Sequence, residues 1–126
     1  MKRGFFAHRI CYKNRIYRKH ILFLNGNNQI CEIEPFANET ANTTFYDGIL
    51  MVVSPAFHLQ INEFTSALNR QLENPEISLT QAIAENTVYK NNFPDIQSPC
   101  SLYNISEICW DNERPASSHI EIRKIL

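Results

Sequence analysis

Thr43-Thr44-Phe45-Tyr46-Asp47-Gly48-Ile49-Leu50-Met51-Val52-Val53 decides the fold, because the pattern of the chain changes on its far side. Thr43 to Tyr46 reads as a short strand and Asp47-Gly48 as a tight turn. Ile49 to Val53 is a continuous apolar run, as expected of a strand covered on both faces. Beyond Pro55 the apolar positions fall at a period near 3.6. Phe57, Ile61, Phe64, Leu68 and Leu72 form one stripe, which predicts a helix from Pro55 to Leu72.

Upstream, Phe5 to Tyr12 and Tyr17 to Leu24 read as strands joined by a turn at Lys13-Asn14-Arg15. Asn25-Gly26 predicts a type I′ hairpin, whose two central residues need positive φ. Gln29 to Ile33 alternates and should be half-buried, and Pro35 to Asn42 reads as a loop. Downstream, Asn74-Pro75 ends the first helix. Ser78 opens a second, with Gln81 at capping-box spacing and Leu79, Ala82, Ile83 and Thr87 on a weaker apolar face. Asn91 to Ser101 is irregular. Ile105 to Trp110 and Ile120 to Leu126 close the chain as strands around a turn near Asp111-Asn112.

The expected class is therefore mainly β (α+β). A single domain forms a β-sandwich or curled sheet from the strands of residues 1–54 and 91–126, with a two-helix insertion at 55–90. The 126 residues, 44% hydrophobic and 20% charged, suit one globular unit. No apolar run reaches the roughly 20 residues needed to cross a bilayer, so no membrane partner is expected. Met1-Lys2-Arg3-Gly4-Phe5-Phe6 meets His8-Arg9 before any sustained apolar stretch, so a cytoplasmic protein without a signal peptide is expected. Cys11, Cys31, Cys100 and Cys109 contain no CxxC pair and are read as reduced thiols, three of them inside apolar segments.

Two segments carry a family resemblance. The first, Ile16 to Gln60, holds Asn25-Gly26-Asn27-Asn28, Ile30-Cys31-Glu32-Ile33 and Thr43 through Leu50. The second runs from Ser78 to Leu126 and opens Ser78-Leu79-Thr80-Gln81-Ala82-Ile83-Ala84-Glu85-Asn86-Thr87. Together they resemble the composite β-sandwich domain of metal-dependent amidohydrolases, which the family builds from the residues flanking its catalytic barrel. Asp47-Gly48-Ile49-Leu50-Met51 corresponds to the family's last strand before the barrel. Val52-Val53 replaces its Pro-Gly, and His58-Leu59-Gln60 stands where the family has His-x-His. After the missing barrel, Asn92-Phe93-Pro94-Asp95 and Ile105 to Asp111 keep the family's spacing without its glycines.

A barrel takes about 250 residues, and Phe57 to Ser78 is one helix and a turn. The resemblance thus implies a barrel-less remnant of a hydrolase. A catalytic zinc wants three protein ligands, and His58 beside Gln60 does not supply them. No catalytic residue, metal site or cofactor is expected, with His58 the weak metal candidate. The expected role is a non-catalytic protein-interaction or self-associating module, a homodimer or bound to an unidentified protein. The face that a barrel would cover is left over, and Phe57, Ile61, Phe64, Leu68 and Leu72 are the candidate interface.

Two alternatives stand beside this. One is a residual metal-dependent hydrolase or small-ligand subunit completing a site with another chain, using His58, Gln60 and Glu63. The other is nucleic-acid binding by the basic N-terminal hairpin. There, Lys2, Arg3, Arg9, Lys13, Arg15, Arg18 and Lys19 precede the first acid, Glu32, with Phe5, Phe6, Tyr12 and Tyr17 interleaved. A solvated basic face explains that cluster more simply, so nucleic acid is not the expected partner. His8, His20, His58 and His119 lack metal-ligand spacing, and Cys11 has no local base to make it a nucleophile. Glu32 and Glu34 share one strand face and read as its polar side. The Asn38, Asn42 and Asn104 acceptor triplets carry meaning only in an exported chain.

Overall fold

The computed structural model describes residues 2–37 and 42–126. Five strands come first: β1 (Arg3–Tyr12), β2 (Arg15–Arg18), β3 (His20–Leu24), β4 (Ile30–Pro35) and β5 (Thr43–Val53). A 3-10 turn, Pro55–Gln60, leads into α1 (Ile61–Gln71), followed by α2 (Leu79–Glu85) and α3 (Thr87–Lys90). The chain ends with β6 (Ser101–Ser106), β7 (Ile108–Cys109), β8 (Arg114–Pro115) and β9 (Glu121–Lys124). The main sheet runs β4-β3-β1-β5-β6-β9, with β2 also beside β1, while β7 and β8 form a small hairpin of their own. β1 and β5 are parallel; the other ladders are antiparallel. Pairing of Ile49 with Ile105 through Val53 with Ser101 joins the first third of the chain to the last. The protein is mainly β, with the helices inserted between strands of one mixed sheet. No helix among the described residues is long and apolar enough to cross a membrane.

Several local readings change in the folded chain. Lys19, with φ 56°, splits the expected Tyr17–Leu24 strand, so β1 pairs with β2 along one half and β3 along the other. The Asn25-Gly26 turn is wider than a two-residue hairpin. Asn25 Oδ1 accepts from the backbone N–H groups of Asn27 (2.8 Å) and Gln29 (3.0 Å), and the left-handed residue is Asn28, at φ 60°. Asn tolerates that conformation when its neighbourhood holds it.

Asp47-Gly48 does not turn at all. β5 continues through it, and the pair bulges opposite His8, between the Ala7–Tyr46 and Arg9–Ile49 pairings. Gly48, at φ 153°, is required there: a Cβ would stand 2.1 Å from the Ile105 carbonyl oxygen. Glycine permits either a turn or this close approach of neighbouring backbone, and only the neighbour decides. The expected Ile105–Trp110 strand is divided in the same way. Glu107, at φ 58°, ends the β6 segment and sends Ile108-Cys109 into the β7–β8 hairpin. Residues 38–41 of the expected Pro35–Asn42 loop lie outside the described residues.

Both sheet faces are apolar. On one, Cys11, Ile49, Met51, Tyr103 and Ile105 lie under Phe57, Phe64, Leu68, Leu79 and Ile83 of the helical layer. The other face buries Phe5, Ile10, Leu22, Leu24, Leu50 and Leu102 by curling on itself. The curl is tied where Cys100 N–H donates to the Asn28 carbonyl (2.9 Å) and Gln29 Nε2 to the Gln97 carbonyl (2.7 Å). The predicted helix at 55–72 divides at Gln60 but keeps its stripe inward. Ser78 Oγ accepts from Gln81 N–H (3.2 Å), the predicted cap. Asn86 ends that helix early. It is buried, its Oδ1 caps α3 through Tyr89 N–H, and its Nδ2 donates to Phe64 O and Gln71 Oε1 on α1.

Candidate functional site

The helical layer covers only one half of its sheet face. Cys11, Met51 and Val53 sit beneath it, whereas β1 and β5 emerge at their N-terminal halves with Phe6 and Phe45 side by side. Strand alternation dictates this: with Phe5 and Tyr46 facing the curled side, Phe6 and Phe45 must face the other. Phe36, just past β4, stacks on Phe6 at 4.7 Å between ring centroids, and Phe6 lies 5.5 Å from Phe45. His8 meets Phe45 edge-on at 5.4 Å and Trp110 at 4.5 Å. A continuous row of rings results: Phe36, Phe6, Phe45, His8, Trp110. Phe45 is 52% exposed and Phe36 38%, so apolar surface faces solvent in contiguous form rather than singly.

Charged groups border the row. Lys2 Nζ lies 5.7 Å from the Phe23 centroid and bonds Glu32. That contact raises the Lys2 pKa and lowers that of Glu32, with the side-chain hydrogen bond the leading cause for both. At the other end Arg9 lies 5.3 Å from the Trp110 ring and 3.5 Å from Glu113, whose carboxylate also takes Arg18 at 3.8 Å. Glu113 further accepts from Thr80 Oγ (3.2 Å), and its carbonyl from Leu79 N–H (2.7 Å), so the β7–β8 hairpin is pinned to α2. Asp47, 79% exposed, contacts His8 Nε2 at 3.0 Å. Glu34 stands opposite Ile21, which pairs with Phe6, and so shares the ring-bearing face.

The residues singled out in the sequence scatter differently. His58 is exposed and shares its Nδ1 proton with the Pro55 carbonyl (2.8 Å). Gln60 Nε2 reaches Glu63 at 3.4 Å, and its Oε1 takes Asn92 Nδ2 at 2.9 Å. Gln60 and Glu63 line a shallow cleft of about 550 Å³ with Arg70 and Thr87, and His58 is not among its walls. Among the described residues no three His, Cys, Asp or Glu side chains converge on a metal-sized point. Phe57, Phe64 and Leu68 are fully buried against the sheet, and Ile61 and Leu72 pack on the same cluster. The stripe is core, and what it touches is its own sheet.

Burial pushes the Cys11 thiol up to about 12 and the Cys100 thiol to about 11, which leaves both without nucleophilic thiolate. Desolvation likewise raises Tyr89, whose hydroxyl donates to the Lys13 carbonyl. The basic–aromatic N-terminus is divided by the fold. Phe5, Tyr12 and Tyr17 turn to the curled face while Phe6 joins the row, and Lys2, Arg9 and Arg18 are matched by Glu32 and Glu113.

No protein-family model, curated protein or solved structure matches this chain. The row itself escaped the sequence reading. Phe6 and His8 two apart, with Phe45 before an Asp-Gly, were its visible trace; Phe36 and Trp110 arrive only through folding.

Proposed function

We propose that this chain is a non-catalytic docking module that receives a protein partner on the ring row of its half-covered sheet. The carrying observation is the exposure of Phe45 and Phe36 within one continuous stack. Single exposed apolar residues are ordinary, but a contiguous aromatic patch rimmed by charge is the composition of an interface. The resemblance to an amidohydrolase composite domain supports the same reading. In that arrangement a sandwich face rests on a barrel, and here a short helical insertion covers half a face. Balanced charge along the row, with Glu32, Glu34, Asp47 and Glu113 among the basic groups, favours protein over nucleic acid, whose binding needs a net positive footprint.

The test compares wild type with a Phe36→Ser/Phe45→Ser double variant. Both are immobilised for capture and quantitative mass spectrometry, and both are run in sedimentation velocity. A saturable partner lost by the variant at unchanged thermal stability is expected. A second copy would appear as a concentration-dependent dimer that the variant abolishes, placing self-association on this face. Equal capture profiles with monomers throughout overturn the proposal.

A further inference from the structure

We propose that the outer edge of β9 pairs with β9 of a second copy, antiparallel about a two-fold axis at Ile122, so that one sheet runs through both chains. β9 ends the main sheet, and among the described residues only β6 pairs with it. Leu102 exchanges hydrogen bonds with the chain just past β9. Its N–H donates to the Leu126 carbonyl (3.1 Å), and its carbonyl accepts from Ile125 N–H (2.8 Å). Bonding alternates along an antiparallel ladder, so Arg123 and Glu121 bond towards β6. The N–H and C=O groups of Ile122 and Lys124 therefore point away from the sheet. A row of backbone groups turned outward in this way is a template for another strand.

The side chains select the occupant. Glu121 and Arg123 flank Ile122, are exposed, and take part in none of the ion pairs among the described residues. A two-fold axis at Ile122 sets Glu121 of each copy opposite Arg123 of the other. These are non-hydrogen-bonded positions, where facing side chains approach most closely. Ile122 then exchanges both backbone bonds with its own copy. The two Ile122 side chains meet on the helix-covered face, where Ile122 already packs. Moving the axis one residue either way sets Arg123 against Arg123 or Glu121 against Glu121, so charge selects one register. β4, at the far end of the sheet, does not allow the same operation. Its Glu32 and Glu34 flank Ile33 and would face each other, and Pro35 closes the strand. No ring of the row lies on β9, so the pairing goes beyond the docking reading.

The test is sedimentation velocity of the full chain from about 10 μM to about 1 mM. A dimer with Kd on the order of 100 μM is expected, since the paired edge is smaller than a standard interface. Arg123→Glu and Glu121→Arg each make both cross-strand pairs repulsive, and each should weaken dimerisation about tenfold at unchanged thermal stability. Mixed in equal amounts, the two variants should pair with each other as tightly as wild type does with itself, because each supplies the charge the other lacks. The amide protons of Ile122 and Lys124 should exchange more slowly as concentration rises. A strict monomer at about 1 mM, single variants that dimerise like wild type, or a mixture no tighter than either variant alone overturns the proposal. Phe36→Ser/Phe45→Ser should dimerise unchanged. Loss of the dimer in that variant places self-association on the ring row and overturns the edge pairing while docking stands.

Discussion

Two halves of one sheet face have opposite fates. Beneath α1 and α2 the strands contribute Cys11, Ile49, Met51 and Val53, and helical side chains close over them. A few residues earlier the same strands contribute Phe6, His8 and Phe45, and other rings and charges border them instead. The covered half, which has rings of its own in Phe57, Phe64 and Tyr103, is buried and close-packed, so its contacts serve stability. The open half is aromatic and partly wet, and such rings hold their geometry by stacking while leaving surface for a partner. Hydrophobic content alone does not distinguish the two halves; coverage does.

The largest test of that contrast replaces one phenylalanine in each half. Phe64→Ala, in the covered half, should lower unfolding free energy by about 4 kcal/mol in urea titrations. Phe45→Ala should change it by less than about 1 kcal/mol. Equal losses would mean that the open half is core as well. The bulge that carries Asp47 beside the row gives the next effect. Gly48→Ala should destabilise by about 3 kcal/mol, because its methyl group meets the Ile105 carbonyl, whereas Gly26→Ala, with nothing within 4 Å, should stay within about 0.5 kcal/mol.

A further effect is alkaline. Burial holds the Cys11 and Cys100 thiols above their ordinary 9.0 in the folded chain, so folding favours their protonated form. That contribution is whole below pH about 9 and is lost as pH rises towards 11 and then 12. The urea midpoint should fall across that range and fall less in Cys11→Ala relative to its own neutral value. Cys31, exposed, should react first with a thiol reagent. A midpoint independent of pH would place the two thiols in water.

Legibility followed the range of the interactions. The Phe57–Leu72 stripe was readable as one helix face because periodicity follows from residues a turn apart; that it is core and not the expected interface was not, because the sheet it covers comes from distant segments. The Ser78 cap was readable for the same local reason. Asp47-Gly48 was not: its turn chemistry is genuine, yet β6 alongside makes it a bulge. The basic N-terminal run looked like one surface because sequence lists charges without their partners. Glu113, about a hundred residues from Arg9, matches it only after the chain returns.

Sequence by itself determined the strand–helix–strand order, the helical periodicity of the Phe57–Leu72 stripe and the burial of Ile49 to Val53 on both faces, but not that the stripe packs on its own sheet instead of forming an interface. Periodicity carries those, and periodicity is local. Tertiary structure alone decided that β1 lies parallel to β5, that the helices stop halfway along it, and that Phe36 and Trp110 join Phe6, Phe45 and His8. Such assembly depends on which distant segments exclude water together, and the free energy of that exclusion belongs to the packed pair, not to either stretch of chain.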